Sequence, residues 1–275
     1  MAGHGKRHAA GSLRNLFAGI AETAACVRFF SRLPVPALGP QDDPAALPDF
    51  TTIARMIPLA GLIVALPAAA AGVLLGSTAL PALAVGFIVV ALLAAVTGAL
   101  HEDGLSDVAD GFFGGHTRER RLEIMKDSRI GAFGALALVL STGLKASLIA
   151  GLLDRLGALN AMAIVLGAES FGRTLIVWQW TVLPPARPEG LGSRFGTPDK
   201  SVAMQGALIG LLCLLVTVAA LSLMSLALAL FLAGITAYLV GLLARAKVGG
   251  FTGDVLGAIQ QLSSLAFLMG ALAIH

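Results

Sequence analysis

Seven long runs of apolar residues, separated by short polar segments, dominate the chain. A bilayer core of about 30 Å requires roughly 20 apolar residues in an α-helix, because a lipid-exposed backbone must pair its own N–H and C=O groups. The pattern therefore predicts an all-α fold, a polytopic membrane helix bundle with about seven transmembrane helices. The predicted spans are residues 57–76, 79–100, 130–153, 156–178, 202–221, 223–243 and 255–274.

Residues 12–30, which precede the first span, repeat apolar side chains at helical spacing but also carry Arg14, Glu22 and Arg28. This pattern predicts an amphipathic helix that lies in the membrane interface and does not cross the bilayer. A cleaved signal peptide is the alternative, but Glu22 interrupts its apolar stretch and no small residues follow. The apolar positions are Leu13, Leu16, Phe17, Ile20, Ala24 and Val27.

The composition agrees with a membrane protein, since 57% of the 275 residues are hydrophobic and only 13% are charged. A water-soluble fold does not cover so much apolar surface, which excludes soluble enzymes, disordered tails and nucleic-acid binders. Lys and Arg collect in residues 1–56, 101–129, 179–201 and 244–254. Because cytoplasmic loops retain positive charge, we expect a multi-pass protein of the cytoplasmic (inner) membrane with its N-terminus inside. The sequence shows no fixed-period repeat, so we expect one domain, residues 1–275.

The segment 101–129 carries the candidate chemistry. At 100° per residue, Asp103, Asp107 and Asp110 fall within an arc of about 60° on one helix. No basic residue stands three or four positions after any of them, so their mutual repulsion is not neutralised along the helix. A hard divalent cation such as Mg²⁺ prefers carboxylate oxygens, which predicts a metal site here.

A glycine-rich break at 111–115 should end that helix, and Thr117 should cap a second short one. If the two helices pack antiparallel, Asp127 faces the first cluster and completes a two-metal site. The basic residues beside it would then bind phosphate oxygens, although alternating charge is also typical of a solvated surface. The candidate phosphate ligands are Arg118, Arg120, Lys126 and Arg129.

Further polar positions stay open to two interpretations each. His101 is a candidate general base or a plain hydrogen-bonding residue. The glycine-rich loop 249–257, with Asp254, is typical of a phosphate cradle but also of a tight turn. Glu169 and Arg173 lie four residues apart within a span, where they form either a structural pair or a substrate-binding pair.

The run H-E-D-G-L-S-D-V-A-D-G at 101–111, followed by R-E-R-R-L-E-I-M-K-D-S-R-I-G at 118–131, resembles the cobalamin synthase family. Residues 29–36, 58–61 and 250–257 support the resemblance, which extends over nearly the whole chain. It implies a transferase that joins adenosylcobinamide-GDP to α-ribazole or its 5′-phosphate, uses Mg²⁺ and releases GMP. The D-x-x-D-G element at 107–111 is also similar to that of the CDP-alcohol phosphotransferases, but Gly114 and Gly115 replace the Ala-Arg that follows there.

The resulting hypothesis places two Mg²⁺ ions on Asp103, Asp107, Asp110 and Asp127, with His101 or a metal-bound carboxylate taking the hydroxyl proton. The main alternative is a secondary transporter that uses Glu169, Arg173 and Lys145 within the membrane. A non-catalytic membrane scaffold is a third interpretation. The sequence leaves open whether the protein forms homo-oligomers in the lipid bilayer.

Overall fold

The computed structural model describes residues 17–39, 42–190 and 194–274, and these residues confirm the all-α prediction. Within them, β-type pairing is limited to one isolated bridge between Pro185 and Phe251. In chain order the helices are α1 (17–30), α2 (Phe50–Ile53), α3 (Ile57–Gly76), α4 (Ala82–Thr97), α5 (Leu100–Gly114), α6 (Arg118–Ile124), α7 (Ala132–Val182), α8 (Lys200–Cys213), α9 (Leu223–Val248) and α10 (Gly253–Ala273), with 3₁₀ turns at Ala54–Met56 and Leu214–Thr217.

The helix α7 is a hairpin of two membrane-crossing arms. As one straight rod its 51 residues would extend about 77 Å, more than twice the thickness of a bilayer core. Gly157 breaks it with φ 77° and ψ 166°. Lys145 and Glu169 lie equally far from Gly157 on opposite sides, yet Lys145 Nζ is 2.6 Å from Glu169 Oε1. The chain therefore reverses at Gly157, and the arms 132–156 and 158–182 correspond to the two predicted spans 130–153 and 156–178.

Five helical segments in the described ranges are long and apolar enough to cross a membrane, or six if the bent pair α4 and α5 counts as one span. This count takes α7 once, so its two arms raise the number to six or seven, in line with the predicted bundle. The predicted span 202–221 is helical only as far as Thr217.

The helix α10 is the central element of the bundle. In its most apolar window 83% of the residues are buried, against 22–39% in the other crossing helices. Those other helices expose large apolar side chains, among them Leu74, Phe87, Leu140 and Phe231, on their outer faces. Such faces suit contact with lipid, whereas α10 is surrounded by protein.

The predicted span 79–100 is shorter than expected, because α4 ends at Thr97. Gly98 (φ 67°) and Ala99 (φ 58°) both adopt left-handed backbone conformations, and α5 then runs at 93° to α4. The helix α5 therefore does not continue the crossing. It packs across one end of the bundle, against α7 and α10.

The described part of the predicted N-terminal helix, residues 17–30, is helical, and residues 12–16 lie outside the described ranges. Phe17 and Ile20 are exposed, whereas Val27 and Phe30 are buried against the bundle. Glu22, the acidic residue in the apolar pattern, pairs with Arg55 at 2.8 Å. The amphipathic helix is thus anchored to protein along its C-terminal half and leaves apolar side chains at its N-terminal half exposed.

Candidate active site

The acidic face of α5 meets the start of α10. Asp103 is exposed, Asp107 is partly buried, and Asp254 approaches both from α10. Burial, with smaller contributions from the neighbouring carboxylates of Asp103, Asp254 and Asp110, raises the pKa of Asp107 to about 7. No ion pair found in the described ranges involves Asp103, Asp107 or Asp254. The three carboxylates form a cluster, hereafter the acidic cluster, in which no described side chain forms an ion pair, although the charge of Arg187 acts on Asp254.

Two glycines bring α5 and α10 into backbone contact at this point. A Cβ on Gly104 would lie 2.8 Å from the carbonyl oxygen of Asp254 and 3.0 Å from its Cα. A Cβ on Gly257 would lie 3.3 Å from the Cα of His101. Side chains at these positions would force the helices apart, so the glycines set the short separation between the two acidic segments.

Asp110 has a different environment from its neighbours on α5. Its carboxylate accepts hydrogen bonds from the backbone N–H of Gly131 (2.7 Å) and of Gly134 (2.9 Å), at the first turn of α7. The side chain is buried and caps this helix end by pairing two of the N–H groups that the helix itself leaves unpaired. Both oxygens already accept one hydrogen bond, so the predicted role of Asp110 as a metal ligand competes with capping.

The second short helix forms as predicted. Thr117 caps α6, and its Oγ1 accepts a hydrogen bond from the backbone N–H of Arg120. The guanidinium of Arg118 donates to the carbonyl oxygens of Val248 (2.9 Å) and Ala186 (2.8 Å), and thereby ties α6 to the end of α9. Arg120 pairs with Glu123 on the exposed face of α6. Neither arginine is directed to the acidic cluster in these contacts.

Asp127 has partners other than those expected. It forms an ion pair with Arg129 at 2.6 Å, and this contact lowers the pKa of Asp127 to about 2. Lys126 is exposed beside it. The hydrogen bonds and ion pair of Asp127 are made with Arg129 and not with a group of the acidic cluster, so its part in a two-metal site stays a prediction. More generally, the described residues contain no group of three or more His, Cys, Asp or Glu side chains already spaced to hold a metal ion.

His101 lies at the start of α5 and is 2% exposed. Burial lowers its pKa well below the usual value, and the positive charge of Arg173 acts in the same direction. The imidazole is therefore neutral at physiological pH. Its Nε2 atom has no hydrogen-bonding partner within the described residues.

Glu169 and Arg173 belong to a buried polar layer with Lys145, Gln260 and Ser264. The Glu169 carboxylate accepts hydrogen bonds from Lys145 Nζ (2.6 Å), Arg173 (2.9 Å), Gln260 (2.7 Å) and Ser264 (2.9 Å). Four hydrogen bonds hold this carboxylate between α10 and both arms of α7. These contacts favour a structural role for the Glu169–Arg173 pair. They do not favour substrate contact by Arg173, nor a transport pathway through this layer.

A cavity of about 460 Å³ lies beside the acidic cluster, on the side of the loop that follows α7. Arg187, Arg194, Phe195 and Asp254 line it, together with the first residues of α10. Arg187 donates to the carbonyl oxygen of Leu122 (2.7 Å), and its buried Nε has no partner in the described part of the chain. Sequence reasoning missed both arginines. The sequence signal for them is the basic character of segment 179–201, which membrane orientation explains equally well.

Comparison with known proteins gives consistent matches over most of the chain. The family model described as cobalamin-5-phosphate synthase matches residues 22–272. A protein from Sinorhizobium sp. named adenosylcobinamide-GDP ribazoletransferase is 43% identical over 258 residues, which is 92% of this chain and 96% of that protein. Proteins of the same name from Brucella canis and Brucella suis are each 44% identical over 252 residues, 91% of this chain and 96% of theirs. No solved structure matches the chain significantly.

Proposed function

Because the chain belongs to the cobalamin-5-phosphate synthase family of membrane-bound transferases, we propose that it joins adenosylcobinamide-GDP to α-ribazole or its 5′-phosphate and releases GMP. The observation that carries this proposal is the position of the acidic cluster. It borders a cavity that contains two arginines and the N-terminus of α10. Carboxylates that form no ion pair, beside a cavity lined by arginines, are suitable surroundings for a metal-bound diphosphate.

Arg187 and Arg194 are the proposed phosphate ligands. Both line the 460 Å³ cavity, and Thr252 caps α10 at the same place, where the helix dipole favours an anion. A cavity of this volume accommodates a ligand of nucleotide size. We therefore assign the GDP part of the donor to this cavity instead of to Arg118, Arg120, Lys126 and Arg129, whose contacts lie elsewhere.

The reaction is a substitution at phosphorus. A ribazole hydroxyl oxygen attacks the phosphorus attached to the cobinamide side, a new O–P bond forms, and the P–O bond to GMP breaks. The hydroxyl proton passes to a carboxylate of the acidic cluster, for which Asp103 is the most exposed candidate. The bond electrons leave with the phosphate oxygen of GMP. Arg187 and Arg194 stabilise the charge on that departing oxygen.

A divalent cation remains part of the proposal because the cluster supplies the type of donor that Mg²⁺ prefers, although its side chains are not already spaced to hold one. Asp103, Asp107 and Asp254 offer hard oxygen ligands, and the mutual repulsion of these carboxylates contributes to the raised pKa of Asp107. When bound there, Mg²⁺ would supply charge that neutralises phosphate oxygens. Asp110 and Asp127, the other two ligands expected from the sequence, already have other partners.

The proposed location is the cytoplasmic membrane, with the acidic cluster on the cytoplasmic side. Support comes from the charge distribution: the basic segments 101–129, 179–201 and 244–254 meet at the end of the bundle that carries α5 and α6. Retention of positive charge in the cytoplasm would orient this end inward.

The decisive test is GMP release by the purified protein in detergent, given adenosylcobinamide-GDP, α-ribazole and Mg²⁺. Asp107→Asn should lower the rate by about 100-fold or more, because charge stabilisation dominates phosphoryl transfer. Asp154→Asn is the matched control, since Asp154 is exposed near the Gly157 turn, and its rate should equal that of the unmodified protein.

Asp127→Asn separates the two ligand sets. If Asp103, Asp107 and Asp254 hold the cation, this variant should retain most of the activity. A loss as large as that of Asp107→Asn would restore Asp127 to the metal site. No GMP release from the unmodified protein under these conditions would refute the proposed function itself.

A further inference from the structure

The short helix α6 connects two segments that border the cavity of about 460 Å³. Arg118, its first residue, donates from Nε to the carbonyl oxygen of Val248 (2.9 Å) and from Nη2 to that of Ala186 (2.8 Å). Val248 ends α9, whereas Ala186 lies in the loop after α7 and directly precedes Arg187. A planar guanidinium group with several fixed donors is suited to holding two backbone segments in one geometry. One side chain therefore joins two segments that are remote in sequence.

Two further arginine contacts reinforce this connection. Arg121 donates to the carbonyl oxygen of Lys247 (3.2 Å), and Arg187 donates in the reverse direction to that of Leu122 (2.7 Å). The last turn of a helix leaves carbonyl oxygens unpaired, and its dipole favours cations there, so the end of α9 suits these donors. Arg118, Arg121 and Arg187, with the carbonyl groups that accept from them, are hereafter the α6 brace.

The two segments that the α6 brace holds are also paired with each other. The backbone N–H of Ala186 donates to the carbonyl oxygen of Phe251, and the N–H of Phe251 donates to that of Pro184, both at 2.9 Å. A Cβ on Gly250 would overlap the carbonyl oxygen of Pro184. The glycine-rich segment 249–257 thus begins with a close backbone contact that only a residue without a side chain allows.

The braced segments carry groups that the proposed reaction uses. Arg187 and Asp254 line the cavity of about 460 Å³, and each lies within three residues of the Ala186–Phe251 pairing. Arg118 does not line this cavity, and its guanidinium donates to backbone carbonyl groups on both sides. Loss of Arg118 would release both segments and allow the position of Arg187 to change.

We propose that Arg118 is a positioning residue for the transfer reaction, an inference that rests on the proposed function. Through the α6 brace it sets where Arg187 stands beside the acidic cluster, and it does not contact the diphosphate itself. A displacement of about 1 Å caused far from the chemistry is enough to slow an enzyme about 100-fold, so the placement of this loop matters for the rate. The role as a direct phosphate ligand, expected from the sequence, has different measurable effects.

Backbone hydrogen exchange of the full-length protein in detergent measures the brace without turnover. In Arg118→Ala, the amide protons of Ala186 and Phe251 should exchange about tenfold faster than in the unmodified protein, because their segments lose a shared anchor. Arg245→Ala is the matched control, since it removes an exposed arginine from the last turn of α9 and should leave both exchange rates unchanged. Unchanged rates in Arg118→Ala would overturn the proposal.

Steady-state kinetics separate positioning from direct phosphate contact. Arg118→Ala should raise the KM for adenosylcobinamide-GDP about tenfold and leave the KM for α-ribazole unchanged, because the arginines are assigned to the donor. In an Arg187→Ala background the same substitution should add almost nothing to the donor KM, because Arg118 acts through Arg187. Additive effects would show that Arg118 binds the diphosphate itself and would refute the positioning role.

The conservative variant Arg118→Lys tests the geometry of the brace. Lysine keeps the charge but lacks the planar fork, so it reaches one of the two carbonyl oxygens at a time. Its exchange rates and donor KM should lie between those of the unmodified protein and Arg118→Ala, and it takes the place of the alanine variant if that variant does not fold. Values equal to those of the unmodified protein would contradict the brace.

The two proposals fail in different ways. Unchanged hydrogen exchange in the Arg118 variants, with normal GMP release by the unmodified protein, refutes only the positioning role. Absence of GMP release by the unmodified protein refutes the proposed function, whereas the exchange rates still decide whether Arg118 holds the two segments together.

Discussion

Asp107 and Asp110 are separated by less than one helical turn, yet their surroundings give them different roles. Asp110 is held by two backbone N–H groups at the start of α7. Asp107 faces other carboxylates, and its pKa rises to about 7. Equal spacing on a helix thus does not imply equal function, because the partners come from other helices.

Asp110→Asn should destabilise the protein. An asparagine amide group cannot accept both hydrogen bonds and carries no negative charge toward the helix dipole, so the loss should be about 1–2 kcal/mol. Thermal unfolding in detergent measures the effect. Asp107→Asn is the comparison, and it should unfold at the same temperature as the unmodified protein or higher, because it removes repulsion between carboxylates. If Asp110→Asn were as stable as Asp107→Asn, the capping role would be wrong.

The raised pKa of Asp107 predicts a pH dependence of stability. Between its ordinary value near 3.8 and about 7, the folded state binds a proton that the unfolded state has lost. The contribution of Asp107 to stability is therefore present below this range and is lost as the pH rises through it. Without divalent cations, the unfolding temperature of Asp107→Asn should increasingly exceed that of the unmodified protein from pH 4 to pH 7. A constant difference across this range would contradict the assigned pKa.

Binding of Mg²⁺ should offset the loss of stability that ionisation of Asp107 causes. A cation that binds the ionised cluster stabilises the folded state by mass action, and protons compete with it. The increase in unfolding temperature on addition of Mg²⁺ should therefore be larger at pH 8 than at pH 5. An equal increase at both pH values, or an undiminished one in Asp107→Asn, would place the cation elsewhere.

The close crossing of α5 and α10 is the feature of greatest consequence at the scale of elements. Gly104→Ala would place a Cβ against the backbone of Asp254. The two helices should then separate. GMP release should fall strongly, whereas the unfolding temperature should change little. Gly143→Ala is the matched control, because no atom lies within 4 Å of a Cβ there, and it should be neutral or slightly stabilising. GMP release and thermal unfolding of both variants decide the matter.

The elements were predictable from sequence to the extent that their signals are local. The apolar runs, the acidic arc on α5 and the cap at Thr117 all depend on spacings of a few residues, and all are present. The bend at Gly98 and Ala99 was missed because an alanine in a left-handed conformation leaves no mark in the sequence. The hydrogen bonds of Asp110 to α7 and of Arg187 to Leu122 were not predictable, because the partners lie 21 to 65 residues away in the sequence.

Across the whole molecule, the buried polar layer separates two hydrophobic cores. Val64, Ile176 and Ile259 belong to the core at the acidic cluster, whereas Ala65, Ala168 and Phe267 belong to the other. Glu169, Arg173 and Gln260 lie between them along the chain. The layer contains two cations, Lys145 and Arg173, and one carboxylate. Glu169 is therefore the only counter-charge for both cations among the residues of this layer.

This imbalance predicts unequal effects of substitution. Glu169→Gln leaves two buried cations without a counter-charge and should cost about 3–5 kcal/mol of stability. Lys145→Met leaves a neutral Glu169–Arg173 pair and should cost much less. Membrane expression and thermal unfolding of the two variants provide the measurement, and equal losses would show that charge balance does not govern this layer.

The hairpin also bears on the order in which the protein is made. Gln260 and Ser264 follow Glu169 by 91 and 95 residues, so at about 5–20 residues per second the ribosome delivers them roughly 5–20 seconds later. During that interval the nascent hairpin must reside in lipid without its central neighbour. Lys145 and Arg173 belong to the same hairpin as Glu169. The hairpin therefore enters the membrane with the Glu169 carboxylate already paired to two cations of its own arms.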